Sequence, residues 1–360
     1  MLTIDELESL DAKYRIFGEH REAALTAYWD ICMSDVKCAS LEKAAELVRD
    51  AKTAEEIKRL PVANDNAIRY FAIIANLTLG RERYIARGFS EEETDEMIGR
   101  CFGGSLDTCM KKSDAFGYTT LYFWWAGLYV TNEIFNFRNM QLETRIFHME
   151  SMWLRHKETK ELVALKTSGK VHRSGVMLGS EGCTDEAGAY DVTFTETETE
   201  ITANVIENDL VLPTVKTYPK SEWEVFLRKG DPVVAFHFPR NADIRPESLQ
   251  AFFKEGVEAV KTRYPDFKAK TYFCCSWLLD CKMSRFLKPT SNINGFREMM
   301  SVCPYKSDGH AVFGYVFPPK VERLEDLPET TSLERGLKEL YLNGEYIYTL
   351  SGIRPFDLCV

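Results

Sequence analysis

The chain has 360 residues, of which 45% are hydrophobic and 28% charged, and its formal net charge is −10. That length accommodates two domains with separate cores, and the balance is that of an ordinary globular protein. The acidic surplus argues against broad electrostatic capture of nucleic acid or of an anionic membrane surface.

The first ten residues carry Asp5, Glu6 and Glu8 and lack a basic-then-apolar leader pattern, so a cytoplasmic protein is expected. Thr3 to Glu6 spells a capping box, and Leu7, Leu10, Tyr14 and Phe17 follow at helical spacing. Leu25, Tyr28 and Trp29 continue the pattern, Ser40 is placed to cap a helix through Val48, and Pro61 closes the next segment. Residues 64–84 form a strong helical window. Ser90 to Glu93 spells a second capping box, and Gly103-Gly104 interrupts or ends the helix that this box opens. The apolar window from Ala115 to Val130 is too short and too polar at its flanks to span a membrane and reads as a buried aromatic helix. Residues 1–133 therefore read as a helical N-terminal region.

Beyond Phe135 the period changes. Met140, Leu142, Thr144, Ile146 and His148 alternate with polar residues, as a strand does, and 162–171 and 192–206 look similar. Residues 175–188 hold four glycines and read as a turn-rich connection, and 222–227 reads as a short helical turn. Val233 to Phe238 is a buried strand, Pro246 to Tyr264 a helix, and Tyr272 to Leu279 a second strand. Strand, helix and strand over about 45 residues make a βαβ unit with two parallel strands. A strand at 312–317, a helix at 332–342 closed by Asn343-Gly344, and a last strand at 346–350 complete the chain. The expected fold is α/β (α+β): the helical region, then a mixed β-sheet domain with flanking helices over 134–360.

Ten cysteines without an export signal read as reduced thiols. Cys274, Cys275, Cys281, Cys303 and His310 lack the paired spacing of metal ligands, so no metal is expected.

Within the central unit, His237-Phe-Pro239, Cys274 to Leu279 (Cys-Cys-Ser-Trp-Leu-Leu), and Ser291-Asn-Ile293 followed by Phe296 stand out. In these motifs and in its order of elements the chain resembles a bacterial family of acyltransferase-domain proteins. That family joins a helical N-acyltransferase N-terminal region to a GNAT-like C-terminal domain. The glycine-rich pyrophosphate loop of GNAT enzymes is replaced here by Pro239-Arg-Asn-Ala-Asp-Ile-Arg-Pro246.

The resemblance implies acetyl-CoA or another acyl-CoA as co-substrate and an amine of a small molecule or peptide as acceptor. The backbone at Phe236 and Phe238 would meet the pantetheine arm. Arg240, Asn241, Ala242 and Arg245 would form the phosphate loop at the start of the following helix, with Asn292 nearby. The bland reading of that loop is a solvated, capped turn. His237 is the candidate base and Glu143 a carboxylate that assists it; Ser276 would donate to the leaving thiolate or orient substrate. Against these stand a hydrogen-bonded structural histidine, a solvent-facing strand glutamate and a serine satisfying backbone. A covalent route through Cys274 or Cys275, and a non-catalytic acyl-CoA or small-molecule binding protein, are the rival readings.

Overall fold

The computed structural model describes every residue except 63, 64, 103, 113, 114, 240, 241, 319, 320, 322 and 360, and the side chain of Lys112. It divides into two compact units, Met1–Asn136 with Thr262–Pro265, and Phe137–Lys261 with Asp266–Val360.

The first unit is helical: α1 (Ile4–Tyr14), α2 (Arg21–Cys32), α3 (Asp35–Asp50), α4 (Ala54–Lys58), α5 (Asn66–Ile74), α6 (Leu77–Ala86), α7 (Glu91–Phe102), α8 (Ser105–Lys112) and α9 (Thr120–Val130). The capping boxes at Thr3/Glu6 and Ser90/Glu93 form as expected. Ser40 does not cap: α3 starts earlier, capped by Ser34, and the Ser40 hydroxyl inside the helix donates to the Val36 carbonyl. The window from residue 64 breaks between α5 and α6, because the Asn76 amide donates to the Ala45 and Ala72 carbonyls and competes with the helical ladder. In α9, Phe123, Leu128 and Tyr129 are buried, as a core helix requires.

After β1 (Ile134–Phe137), the main sheet of the second unit begins with β2 (Met140–Ile146). Smaller sheets follow, built from β3 (Ser151–His156), β4 (Leu162–Lys166), β5 (Lys170–Val171), β6 (Tyr190–Asp191), β7 (Phe194–Glu196), β8 (Glu200–Glu207), β9 (Leu210–Pro219) and β10 (Trp223–Leu227). The chain then enters β11 (Pro232–His237), α10 (Pro246–Arg263) and β12 (Thr271–Ser276). The last elements are α11 (Asn292–Glu298), β13 (Ser301–Cys303), α12 (Phe313–Val316), α13 (Ser332–Leu342) and β14 (Leu350–Pro355).

The strands of the second unit in the main sheet run in the order β2-β11-β12-β14-β13. β11 and β12 are parallel across the α10 crossover, as the βαβ reading requires, and the other pairs are antiparallel. One face of this sheet carries Phe236, packed edge-on against Phe253 of α10 with Phe252, Tyr272 and Phe296 around it. Burying such a ring contributes about 1.5–3 kcal/mol. The other face packs Val233, Ala235, Phe273 and Ile353 against Trp153 and Ala164 of the β10-β3-β4 sheet.

Four local expectations are corrected. Residues 223–227 are a strand, since Trp223, Glu224, Val225 and Leu227 pair with β3. Residues 313–316 form one helical turn, with Phe313 against Tyr341 at 4.7 Å between ring centroids. β12 stops at Ser276, where the serine hydroxyl caps a 3-10 turn at Trp277–Leu279. The last strand begins at Leu350, because the backbone N–H of Tyr348 is held by Asp280 instead of by a strand.

Candidate active site

β2 and β11 pair along their whole shared length, from Pro232 opposite Ile146 to His237 opposite Gln141. Toward β12 the ladder is short: Val234 meets Tyr272 and Ala235 meets Phe273, and the register ends there. The two parallel strands thus part after Ala235, at their carboxyl ends. This is the crevice where α/β sheets bind ligands.

His237 stands at the lip of that opening, its side chain about one-quarter exposed, and shares a face with Val233 and Ala235. The register sets Glu143 opposite Ala235 on the same face, and His237 Nε2 lies 2.7 Å from Glu143 Oε2. Glu143 is buried, with Arg145 Nε 3.4 Å from its other oxygen. Burial pushes its carboxyl up, but the His237 hydrogen bond and the charges of Arg145, His237 and His148 outweigh this and hold it below its ordinary value. An ionised carboxylate only accepts, so His237 Nε2 carries the proton in this pair and the lone pair of a neutral ring sits on Nδ1.

Two residues beyond Phe273, Cys275 extends the same face of β12. It is reachable by solvent yet ringed by Glu143, Arg145 and Tyr305, and burial pushes its thiol up to about 11. Cys274 faces the opposite way and is buried, with its thiol pushed well up by burial. Burial, the largest influence on both thiols, favours the protonated form over the thiolate that a nucleophilic cysteine needs, although Arg145 acts the other way on Cys275.

Ser276 is not brought to the Glu143–His237 pair. It lies on the other face of β12, and its hydroxyl accepts the Leu278 N–H at 3.1 Å. Phe236 and Phe238 use their rings in the aromatic core, 5.4 Å apart edge-to-face, so only their backbone remains for a ligand. Arg240 and Asn241 lie outside the described residues. The Ala242 N–H closes a turn on the Pro239 carbonyl. Arg245 is clasped by Asp243, with Nη2 to Oδ2 at 2.6 Å, and approaches Glu247 at 3.4 Å. The Arg245 and Ser248 hydrogen bonds hold the Asp243 carboxyl well below the ordinary range, so this guanidinium already has an anion. Asn292 is exposed at the start of α11, which is capped by Ser291.

Among the described residues, Asp209, Asp280 and Cys281 are grouped closely enough to share an ion. Their chemistry does not favour one: Arg297 holds Asp209 at 2.7 Å, Lys282 is 3.2 Å from Asp280, and burial pushes the Cys281 thiol up to about 12. Arg145 and Tyr305 join the site without a place among the residues expected from sequence. Arg145 was detectable, since it stands two residues from Glu143 on an alternating strand; Tyr305 follows an edge strand that no pattern announced.

The family model for the GNAT-like C-terminal domain matches residues 136–354. A solved acyltransferase in complex with decanoyl-CoA is similar in fold, with a TM-score of 0.55 at 17% identity, covering 88% of this chain and 76% of the other. An acyltransferase variant in complex with octanoyl-CoA gives 0.53 at 14% identity over the same shares. An acyltransferase in complex with decanoyl-CoA and teicoplanin gives 0.52 at 14% identity, again over 88% and 76%. Curated protein sequences give no match.

Proposed function

The chain belongs to the family of proteins with a GNAT-like C-terminal domain, and from that premise we propose that it is an acyl-CoA-dependent N-acyltransferase acting on an amine by direct attack. The observation that carries this reading is the Glu143–His237 pair beside the parting of β11 from β12. Backbone groups of Phe236 to Phe238 on the β12 side, beyond the end of the β11–β12 register, suit the amides of a pantetheine arm. The amino end of α10, an 18-residue helix, suits its phosphates. The similar solved structures hold decanoyl-CoA or octanoyl-CoA, which favours a medium-chain acyl donor, and one holds teicoplanin, which favours a small-molecule acceptor.

In the reaction a neutral amine attacks the thioester carbonyl. The nitrogen–carbon bond forms, the carbon–sulfur bond breaks, and the nitrogen gives its proton to His237 Nδ1. Glu143 orients the ring and stabilises the imidazolium. The departing thiolate takes up a proton from solvent and the imidazolium returns its own to solvent, so the products are an amide, free CoA thiol and the neutral His237. No acyl-enzyme forms, in keeping with the burial that pushes the Cys274 and Cys275 thiols up.

The test is release of CoA thiol from acetyl-, octanoyl- and decanoyl-CoA across a panel of amines. Acceptor-dependent release is expected. A second reading, a binding protein that holds acyl-CoA without turning it over, is favoured by the occupied Arg245. Saturable binding of decanoyl-CoA with no acceptor-dependent release would establish that reading instead.

A further inference from the structure

A cavity of about 190 Å³ lies in the second unit, lined by Val176, Leu210, Pro304, Tyr305, Tyr348 and Leu350 and by the turn from Asp280 to Lys282. Packed interiors leave few voids larger than a water molecule, and an apolar cavity of about 150 Å³ already admits a benzene ring. At about 30 Å³ for each water-sized group, this one has room for about six carbon atoms. Among the described residues, the charged side chains on its wall are already paired. Arg297 holds Asp209 at 2.7 Å, Lys282 lies 3.2 Å from Asp280, and Arg285 meets Glu345 at 2.6 Å. The Cys281 thiol donates to the Asn208 carbonyl, and the Tyr348 hydroxyl to that of Glu181. What the wall still presents is hydrocarbon and ring surface, which suits an apolar group and gives a further charge no counterion.

The strand directions place this cavity at the same edge of the sheet as the opening at His237. β11 and β12 are parallel, β14 is antiparallel to β12, and β13 is antiparallel to β14, so β11, β12 and β13 all end at one edge. His237 closes β11 at that edge, Asp280 and Cys281 follow β12 there, and Pro304 and Tyr305 follow β13. Leu350 stands opposite Ser276, the last residue of β12. Tyr305 belongs to both places: it lines the cavity, and its hydroxyl donates to the Cys275 thiol, which lies within electrostatic reach of Glu143 and Arg145. His237 is about one-quarter exposed, Cys275 is exposed and Tyr305 is half-buried. The way from the Glu143–His237 pair to the cavity therefore runs over side chains that solvent reaches, not through a packed core.

We propose that this cavity receives the far end of the acyl chain, so that the donor is an acyl-CoA whose chain passes Cys275 and Tyr305 and buries about six terminal carbons. The proposal rests on the transferase reading for its thioester end, and the cavity adds the place where chain length is sensed. Val176 and Leu210 are half-buried wall residues, so a larger side chain at either fills the space without entering the main core. Calorimetry compares acetyl-CoA with decanoyl-CoA on wild type, Val176→Phe and Leu210→Phe. Wild type is expected to bind decanoyl-CoA at least about tenfold more tightly than acetyl-CoA, and that ratio is expected to fall to within about threefold in Val176→Phe. A lowered ratio in either variant supports the assignment. Equal affinities in wild type, or a ratio that neither variant changes, would overturn it and leave the transferase reading standing. Binding of neither ester would overturn the transferase reading itself, and this inference with it. Should Val176→Phe not fold, Leu210→Phe carries the same comparison.

Discussion

At the scale of single residues, His237 and Glu143 divide the work by environment. The carboxylate is buried and kept ionised; the ring is part-exposed and faces the opening. His237→Ala is therefore expected to lower kcat by about 10²–10⁴ while leaving the KM for acyl-CoA within a few-fold, measured by thiol release. Loss confined to KM would reassign His237 to binding. A second expectation concerns Cys274 and Cys275: intact mass after incubation with decanoyl-CoA alone should show no added acyl group, and a stoichiometric adduct would bring the thiol route back. Both members of the pair were recognisable in the sequence as residue types on strands. Their meeting was not, because it depends on Glu143 standing opposite Ala235, a register that only the paired strands define.

At the scale of elements, the β11-α10-β12 unit was legible because it is a local pattern: apolar runs, a proline at the first helical turn, and a crossover of the right length. β10, β13 and the true start of β14 were not, since short strands owe their conformation to partners distant in sequence. β13 has three residues and pairs with a strand some 50 positions later. α13 was legible as a helix closed by Asn343-Gly344, its Thr331–Glu334 capping box was not read, and it offers a packing test. A Cβ on Gly336 would lie 2.2 Å from the Phe286 ring. Gly336→Ala should therefore destabilise the protein by about 1–3 kcal/mol in urea unfolding, despite the better helix propensity of alanine. An unchanged or raised midpoint would mean that Phe286 swings aside freely. Thr331→Ala, which removes only the cap, should cost about 1 kcal/mol.

At the scale of the whole molecule, the family match covers 136–354, and the helices before it lie outside that match. No helix among the described residues is long and apolar enough to cross a membrane. Stability should carry the mark of Glu143. Its folded carboxyl titrates below its ordinary value of 4.5, so its contribution is present above that pH and is lost as pH falls through the lower, folded value. As pH is lowered from 5 through 4.5 and below, wild type should lose more stability than Glu143→Gln, read from urea midpoints. Parallel losses would show that the carboxylate is not held in its ionised form.

The central claim, that an acyl donor lies along β11 where it parts from β12, is tested most directly by a crystal structure with a non-transferable thioether analogue of decanoyl-CoA. The account predicts pantetheine amides bonded to the backbone between Phe236 and Phe238, with the carbonyl carbon facing the His237 side of the opening. Density for the analogue elsewhere, with the β11–β12 gap closed by side chains, would contradict it.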